Sequence, residues 1–251
     1  MCLIIASWKV HPSYRLVVAA NRDEELARPT RAALFWPEVH GVLAGKDLLS
    51  GGTWMGVSSA GRFAAVTNFH EQLVRDPDAP SRGLLVLDFL RGDQTPNAYA
   101  EEVDPRAGDY GGFGLFVGNR DALCYVTNQR KGFLSLEPGI YGLSNSYLDD
   151  PWPKVVKAKG ELDQILREKK SDKIVPSLLT MLADRARPDD ESALDRSPIF
   201  ISGDGYGTRS STVLLMFENG ETIFAEKGYD AGGKPNGLQM FRIVLNPGFP
   251  Q

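Results

Sequence analysis

"MCLIIASWKVHPSYRLVVAANRDEE", residues 1–25, is the stretch on which the fold turns. It holds two apolar, β-branched runs, Cys2 to Trp8 and Tyr14 to Asp23, separated by a segment whose Pro12 and Ser13 suit a turn. These read as neighbouring strands of a hairpin that starts a sheet. If so, the second run returns beside the first, and Asn21, Arg22 and Asp23 bring an amide, a guanidinium and a carboxylate to the thiol of Cys2.

Two readings of Cys2 follow. Cysteine is among the most commonly buried residue types, so this one can simply fill the first strand. Alternatively, removal of Met1, which aminopeptidases carry out when the second residue is small, leaves a free α-amine on the residue that bears the thiol. The amine has a reference pKa near ~7.7 against ~8.5 for the thiol, so it is partly unprotonated at neutral pH and can take the thiol's proton, directly or through a water. A cation beside the sulfur would favour thiolate, and a carboxylate would orient the α-ammonium. The same cluster would also suit a surface strand end carrying an ion pair, so the residues alone leave both readings open.

Outward from the hairpin, "ARPTRAALFWPEV" (27–39) reads as an irregular segment framed by Pro29 and Pro37. Three further strands follow in "GVLAGKD" (41–47), "GGTWMGVSS" (51–59) and "GRFAAVTNF" (61–69), the last two joined around Ala60 and Gly61. The period then changes to helical in "PSRGLLVLDFLRG" (80–92) behind Ser81 and in "TPNAYAEEV" (95–103) behind Thr95. "GFGLFVGN" (112–119) and "ALCYVTN" (122–128) form a strand pair turning through Asn119 to Asp121, and "IYGLSNS" (140–146) is a short strand.

Two helices are clear in "PWPKVVKAKGELDQILREKK" (151–170) and "DKIVPSLLTMLADR" (172–185), the first with Pro153 near its start, where a missing N–H costs nothing. "RARPDDESALDR" (185–196) reads as a solvated loop, and its acids Asp189, Asp190 and Glu191, like Glu24 with Glu25, as solvated charge. "STVLLMFENGETIFAEKGY" (211–229) is a hairpin in which Asn219-Gly220 suits a type I′ turn, and "LQMFRIVLN" (238–246) closes the chain as a strand.

Strands, helices, strands, helices and strands again, with hairpins throughout, predict an α+β chain of mainly antiparallel sheets with helices packed on them. A four-layer αββα sandwich fits this order, with a two-layer α+β domain as the simpler alternative. No repeat or low-complexity linker divides the sequence, so residues 1–251 read as a single domain.

Composition narrows the function. At 251 residues, 42% hydrophobic and 24% charged, the chain can bury a real core. The net charge of -4, with no concentration of Lys and Arg, argues against nucleic acid as a partner. Two cysteines, Cys2 and Cys124, do not make a disulfide framework and fit a reducing compartment; Cys124, inside an apolar strand, reads as core. His11, His40 and His70 are scattered singly, so no metal is expected. The opening run is broken by Lys9 and lacks a basic region before it, and "GLLVLDFL" (83–90) is interrupted by Asp88, so neither a signal peptide nor an integral membrane segment is expected. The expected location is cytoplasmic.

Familiar cofactor motifs fail residue by residue, and no cofactor is expected. "GDGYGTRSS" (203–211) has Thr208 where a dinucleotide fingerprint needs glycine, and Thr208-Arg209 where a P-loop needs Gly-Lys. "GVSSA" (56–60) and "GLSNS" (142–146) lack the final glycine of a serine-hydrolase elbow.

Taken together, "MCLI", "LVVAANRDE" with "RPT" after it, "GGTWMGVSSAGRFAAVTNF", "GLSNSYLDDPWPKV" and "GTRSSTVLL" resemble the NRDE family, named for the tetrapeptide at Asn21 to Glu24. The likeness spans nearly the whole chain. That family is similar in turn to the N-terminal-nucleophile (Ntn) hydrolases of the choloylglycine hydrolase and penicillin acylase branch, which implies the αββα sandwich and cleavage of linear amides. The resemblance makes Cys2 the nucleophile, with Arg22 near the sulfur and Asp23 near the α-amine. It makes Asn68 and Asn145 the oxyanion hole and Arg209 a further site arginine. "EELARPT" (24–30) stands where choloylglycine-type hydrolases usually carry an aromatic-rich loop, so their substrate recognition does not carry over. Roles in membrane-trafficking organisation, haem handling and acyl-CoA or lipid metabolism have been proposed for the NRDE family. Two functions are therefore expected in competition. One is a cysteine amidohydrolase acting on a small acyl amide. The other is a non-catalytic Ntn-fold protein that binds an acyl or anionic ligand such as haem or acyl-CoA, with Arg22 and Arg209 as anion anchors.

Overall fold

The computed structural model describes residues 2–69, 79–188 and 197–244. The opening hairpin forms as read: β1 (Leu3–His11) pairs antiparallel with β2 (Tyr14–Glu25), with Leu3 opposite Asn21 and Trp8 opposite Leu16. Around it grows a six-stranded antiparallel sheet in the order β10 (Gly139–Leu143), β1, β2, β11 (Tyr206–Phe217), β12 (Glu221–Tyr229), β13 (Pro235–Val244). The second sheet has seven strands in sequence order: β3 (Thr30–Phe35), β4 (Val42–Asp47), β5 (Met55–Ser58), β6 (Phe63–Asn68), β7 (Phe113–Gly118), β8 (Leu123–Thr127) and β9 (Phe133–Ser135).

The two-residue period of β1 and β2 sends alternate side chains to different layers. Leu3, Ile5, Val17 and Ala19 pack under α3 (Pro153–Glu168) and α4 (Ser171–Leu182), against Val155, Leu162 and Leu178. Ile4, Ala6, Trp8, Val18 and Ala20 face the second sheet, meeting Leu43, Val57, Phe63 and Phe116. The outer face of that sheet is covered by α1 (Arg82–Arg91) and α2 (Pro96–Arg106), through Leu85, Phe89 and Val103. Three apolar layers between four layers of secondary structure make this the αββα sandwich. Both sheets must be apolar on both faces, which explains strands such as β2 that read as continuous hydrophobic runs rather than alternating ones.

Two local expectations are corrected, and one strand had no expectation at all. The segment between Pro29 and Pro37 is not irregular: residues 30–35 form β3, an edge strand whose only fully buried residue is Ala33. Its pairing with β4 is interrupted by a bulge between Arg31 and Leu34, so the alternation that would have marked it is broken. The Asn219-Gly220 turn is not type I′. Positive φ among described non-glycines is confined to Lys9 and Asp149, while Gly220 has φ 90° and donates its N–H to Phe217 O at 3.1 Å. That is a type I turn followed by a left-handed glycine, the three-residue hairpin loop. The strand β9 is too short, at three residues, to carry a pattern.

Met1, His70, the acids Asp189, Asp190 and Glu191, and the last two residues of the expected closing strand, Leu245 and Asn246, lie outside the described residues. Among the described residues no helix is long and apolar enough to cross a membrane, and no group of three or more His, Cys, Asp or Glu is placed to hold a metal ion.

Candidate active site

The β1–β2 register fixes the neighbours of residue 2. With Leu3 opposite Asn21, Cys2 falls beside Arg22 at the open end of the hairpin. Since Ile4 and Ala6 face the second sheet, the same parity turns Cys2 and Arg22 into the space between the sheets. Asn21 has the opposite parity. Its amide donates to Leu182 O and Ile199 O, each at 2.8 Å, and accepts from Ser211 Oγ at 2.6 Å, so it anchors the helical layer instead of reaching the thiol.

Asn145 joins three segments at this end of the sandwich. Its Oδ1 accepts the Cys2 backbone N–H at 2.8 Å, and its Nδ2 donates to Asn68 O at 2.8 Å. Beside it, Ser144 Oγ donates to Cys2 O at 2.7 Å. The side chains of Ser144 and Asn145 in the turn after β10 thus tie the start of β1 to the end of β6, one from each sheet. Along β6, Val66 N–H bonds Trp54 O while Phe69 N–H bonds Gly112 O. Strand alternation then turns the N–H and C=O of Asn68 to the same side as those of Val66, away from β7 and towards Asn145.

Asp23 is buried. Its Oδ1 accepts from Thr208 Oγ1 at 2.6 Å, and that hydroxyl in turn accepts the Ile201 N–H at 2.9 Å. The Asp23 carbonyl accepts from Tyr206 OH at 2.8 Å and lies 3.9 Å from Cys2 Sγ, which donates to it weakly. β11 pairs Thr208 with Asp23 but Ser210 with Arg22, so Arg209 sits on a bulge. Its side chain lies over the link between β2 and β3, where Nη1 donates to the carbonyls of Glu25, Leu26 and Arg28 at 2.9, 2.8 and 3.0 Å.

Arg22 is held on several sides. Nη1 donates to Thr30 Oγ1 at 3.2 Å and Nη2 to Asp47 Oδ2 at 3.3 Å, and the guanidinium carbon stands 4.4 Å from the centre of the Trp54 ring. Asp47 is shared with Arg28, whose Nε donates to the same oxygen at 2.6 Å. Burial acts to raise the Asp47 carboxyl, but Arg28, the Ser50 N–H and Arg22 outweigh it and hold it below the ordinary carboxylate range.

The thiol is not activated by its surroundings alone. Burial pushes Cys2 above its ordinary value and the Asp23 carboxylate adds to this, while the chain's amino terminus, the bond to Asp23 O and Arg22 act in the other direction without prevailing. A thiol so placed stays protonated at neutral pH.

The structure therefore brings Cys2, Arg22, Asp23, Asn68 and Asn145 to one end of the sandwich and sets Arg209 on the adjoining backbone. They line or adjoin a cleft of about 80 Å³ whose far wall is Thr53, Trp54 and the start of α1. Sequence reasoning missed Asp47, Trp54 and Thr208 as site residues. Trp54 and Thr208 sit inside quoted motifs, and their signal was a polar or aromatic residue at a strand end bordering the proposed site.

Residues 1–231 match the family model described as Transport and Golgi organisation 2. The chain belongs to the Transport and Golgi organisation 2 family. The Bos taurus Transport and Golgi organization protein 2 homolog is 34% identical over 256 residues, covering 90% of this chain and 92% of the relative. Among solved structures, penicillin V acylase from Agrobacterium tumefaciens is similar in fold, with a TM-score of 0.58 at 12% identity, over 97% of this chain and 86% of that one. A mutant of the conjugated bile acid hydrolase from Clostridium perfringens has a TM-score of 0.54 at 10% identity, over 99% and 94%. This Transport and Golgi organisation 2 chain accordingly has the Ntn-hydrolase fold. At such identities the structural likeness speaks for the fold alone.

Proposed function

We propose that the chain is an N-terminal-cysteine amidohydrolase that cleaves a linear acyl amide through a thioester on Cys2. The observation that carries this reading is the 2.8 Å bond between the Cys2 nitrogen and Asn145 Oδ1, made while Asn145 Nδ2 reaches Asn68 O. Removal of Met1 converts that nitrogen into the α-amine without moving it from its acceptor.

In the proposed cycle the α-amine takes the thiol proton and sulfur attacks the amide carbonyl, forming a carbon–sulfur bond and an oxyanion. Asn68 N–H and the second Nδ2 proton of Asn145 stabilise that oxyanion, each contributing about 3 kcal/mol to the barrier reduction. Collapse breaks the carbon–nitrogen bond, and the α-ammonium returns its proton to the departing amine. Water, deprotonated by the same amine, then attacks the thioester, releasing the acid and regenerating the thiol. Arg22 supplies positive charge near the sulfur, and Asp23, fixed by Thr208, holds the α-ammonium. The fold shared with proteins named penicillin V acylase and conjugated bile acid hydrolase supports this class of reaction. A reducing, cytoplasmic setting suits its free thiol.

The competing reading uses Arg22 and Arg209 as anchors for an anionic ligand such as haem or acyl-CoA. It is less favoured, because Arg209 Nη1 is occupied by three backbone carbonyls and Arg22 by Thr30 and Asp47. The two are separated by incubating the purified chain with a panel of N-acyl amino acids and related amides and measuring released amine. The hydrolase reading predicts release by the parent chain and none by Cys2→Ala. No release from any amide, together with unaltered haem or acyl-CoA binding by Cys2→Ala, contradicts it.

A further inference from the structure

Behind the site, between the two sheets, lies a carboxyl group that the proposed cycle does not use. Glu226 is on β12, opposite Thr212 of β11, which is itself opposite Ala20 of β2, one step down the sheet from the row that carries Arg22. It is 3% exposed. Its Oε1 accepts the Ala33 N–H at 2.7 Å. Ala33 sits in the bulge of β3, where the ladder to β4 is broken, so this carboxyl replaces a missing backbone partner and pins the edge strand of one sheet to the other. Its buried Oε2 makes no hydrogen bond of ordinary geometry, and the Thr212 hydroxyl is the polar side chain of β11 that bears on the carboxyl.

That oxygen is close to Trp54. A Cβ placed on Gly45 would collide with Trp54 Cη2 and Cζ2 and would stand 3.3 Å from Glu226 Oε2. Both side chains therefore crowd the same bare stretch of β4, and Trp54 carries Arg22 on its ring. The charged group that bears on Glu226 is Arg22, from β2; β11, β13, β3 and β4 present Thr212, Gln239, Ala33 and Gly45, none of which ionises.

We propose that Glu226 is a positioning residue for the Trp54–Arg22 stack, and that its charge state sets how the guanidinium is shared between the indole and the Cys2 sulfur. Neutral, it leaves Arg22 to the indole, Asp47 and the thiol. Ionised, it places a second carboxylate behind the ring and draws the guanidinium's field away from the sulfur. Burial, opposed by the Ala33 N–H, Arg22 and Thr212, pushes this carboxyl up to about 7, so the change falls in the physiological range. The effect on the thiol rests on the reading of Cys2 as nucleophile; the effect on the stack does not.

The test follows the Trp54 indole N–H resonance, assigned with Trp54→Phe, through pH 5.5 to 8.5 in the full chain and in Glu226→Gln, alongside the rate of Cys2 alkylation by iodoacetamide. The parent resonance should move with one midpoint near 7 and the Glu226→Gln resonance should stay flat. Above that midpoint Glu226→Gln should alkylate about threefold faster than the parent, the equivalent of half a pKa unit at the thiol. A Trp54 resonance that is flat in the parent, or that titrates identically in Glu226→Gln, overturns the proposal. So does an identical alkylation profile in the two proteins when the thiol is reactive. A thiol inert in both proteins, with the Trp54 shift behaving as expected, leaves the stack proposal standing and removes the nucleophile reading instead. Should Glu226→Gln fail to fold, carbon-13 carboxyl labelling of glutamate in the parent decides the matter, because the Glu226 and Trp54 midpoints must coincide and separate midpoints overturn it.

Discussion

Cys2 and Asn145 are 143 positions apart in the chain, and the Cys2 nitrogen donates to Asn145 Oδ1 at 2.8 Å. The bond closes one end of the sandwich, because Asn145 also holds Asn68 at the end of the facing sheet's β6. Substituting Asn145 by Ala should therefore do two separable things. On the hydrolase reading, acylation of Cys2, followed in single turnover, should slow by about 10²- to 10³-fold through loss of an oxyanion donor. Urea unfolding should show a loss of about 1–3 kcal/mol from two partly buried groups left without a partner.

Arg22 lowers the Cys2 thiol against the larger effect of burial. Arg22→Met should raise the thiol further, so the thiolate fraction near pH 7 to 8 falls and alkylation slows by about tenfold for each pKa unit gained. Arg22→Lys should restore part of the rate, since a compact ammonium keeps the charge but cannot serve Thr30, Asp47 and the Trp54 face together. Equal rates in all three proteins would exclude an electrostatic role for the guanidinium.

The buried carboxyl of Glu226 also has a consequence for stability. Its folded value of about 7 lies above the 4.5 of an ordinary glutamate, so the folded chain binds a proton that the unfolded chain has lost. Its contribution is therefore complete below about pH 4.5 and is lost as pH rises through about 7, amounting to on the order of 3 kcal/mol. Glu226→Gln cannot ionise, and denaturant midpoints measured at pH 5 and pH 7 should differ less in it than in the parent.

Gly52 closes the rim of the cleft against the start of α1. A Cβ there would come within 2.5 Å of Gly83 C and 2.7 Å of Gly83 O, both backbone atoms that cannot swing aside. Gly52→Ala should cost about 1–3 kcal/mol, visible as a lowered thermal midpoint, and should slow Cys2 acylation by shifting the cleft wall. An unchanged midpoint would mean that α1 is free to move.

The sheet-forming hairpins and helices were legible because β1 and β2 are long, apolar, β-branched runs, and α3 and α4 bring Leu162, Ile165, Leu178 and Leu182 onto one buried face. The hairpin register was enough to put Arg22 beside Cys2. It was not enough to assign faces, which is why Asn21 was expected at the thiol although its side chain points into the helical layer. β3 escaped notice because prolines flank it and a bulge breaks its alternation. Asp47 of β4, Trp54 just before β5 and Glu226 of β12 meet only through the packing of one sheet on the other, and no local pattern in those segments records it.

The most direct test is the intact mass and peptide map of the chain purified from its own organism, before and after treatment with a thiol-acylating probe. The hydrolase reading predicts a chain without Met1, beginning at Cys2, that gains a single acyl group on Cys2 while Cys124 stays unmodified. A chain that retains Met1, or one whose Cys2 takes no acyl group while its fold is intact, contradicts it.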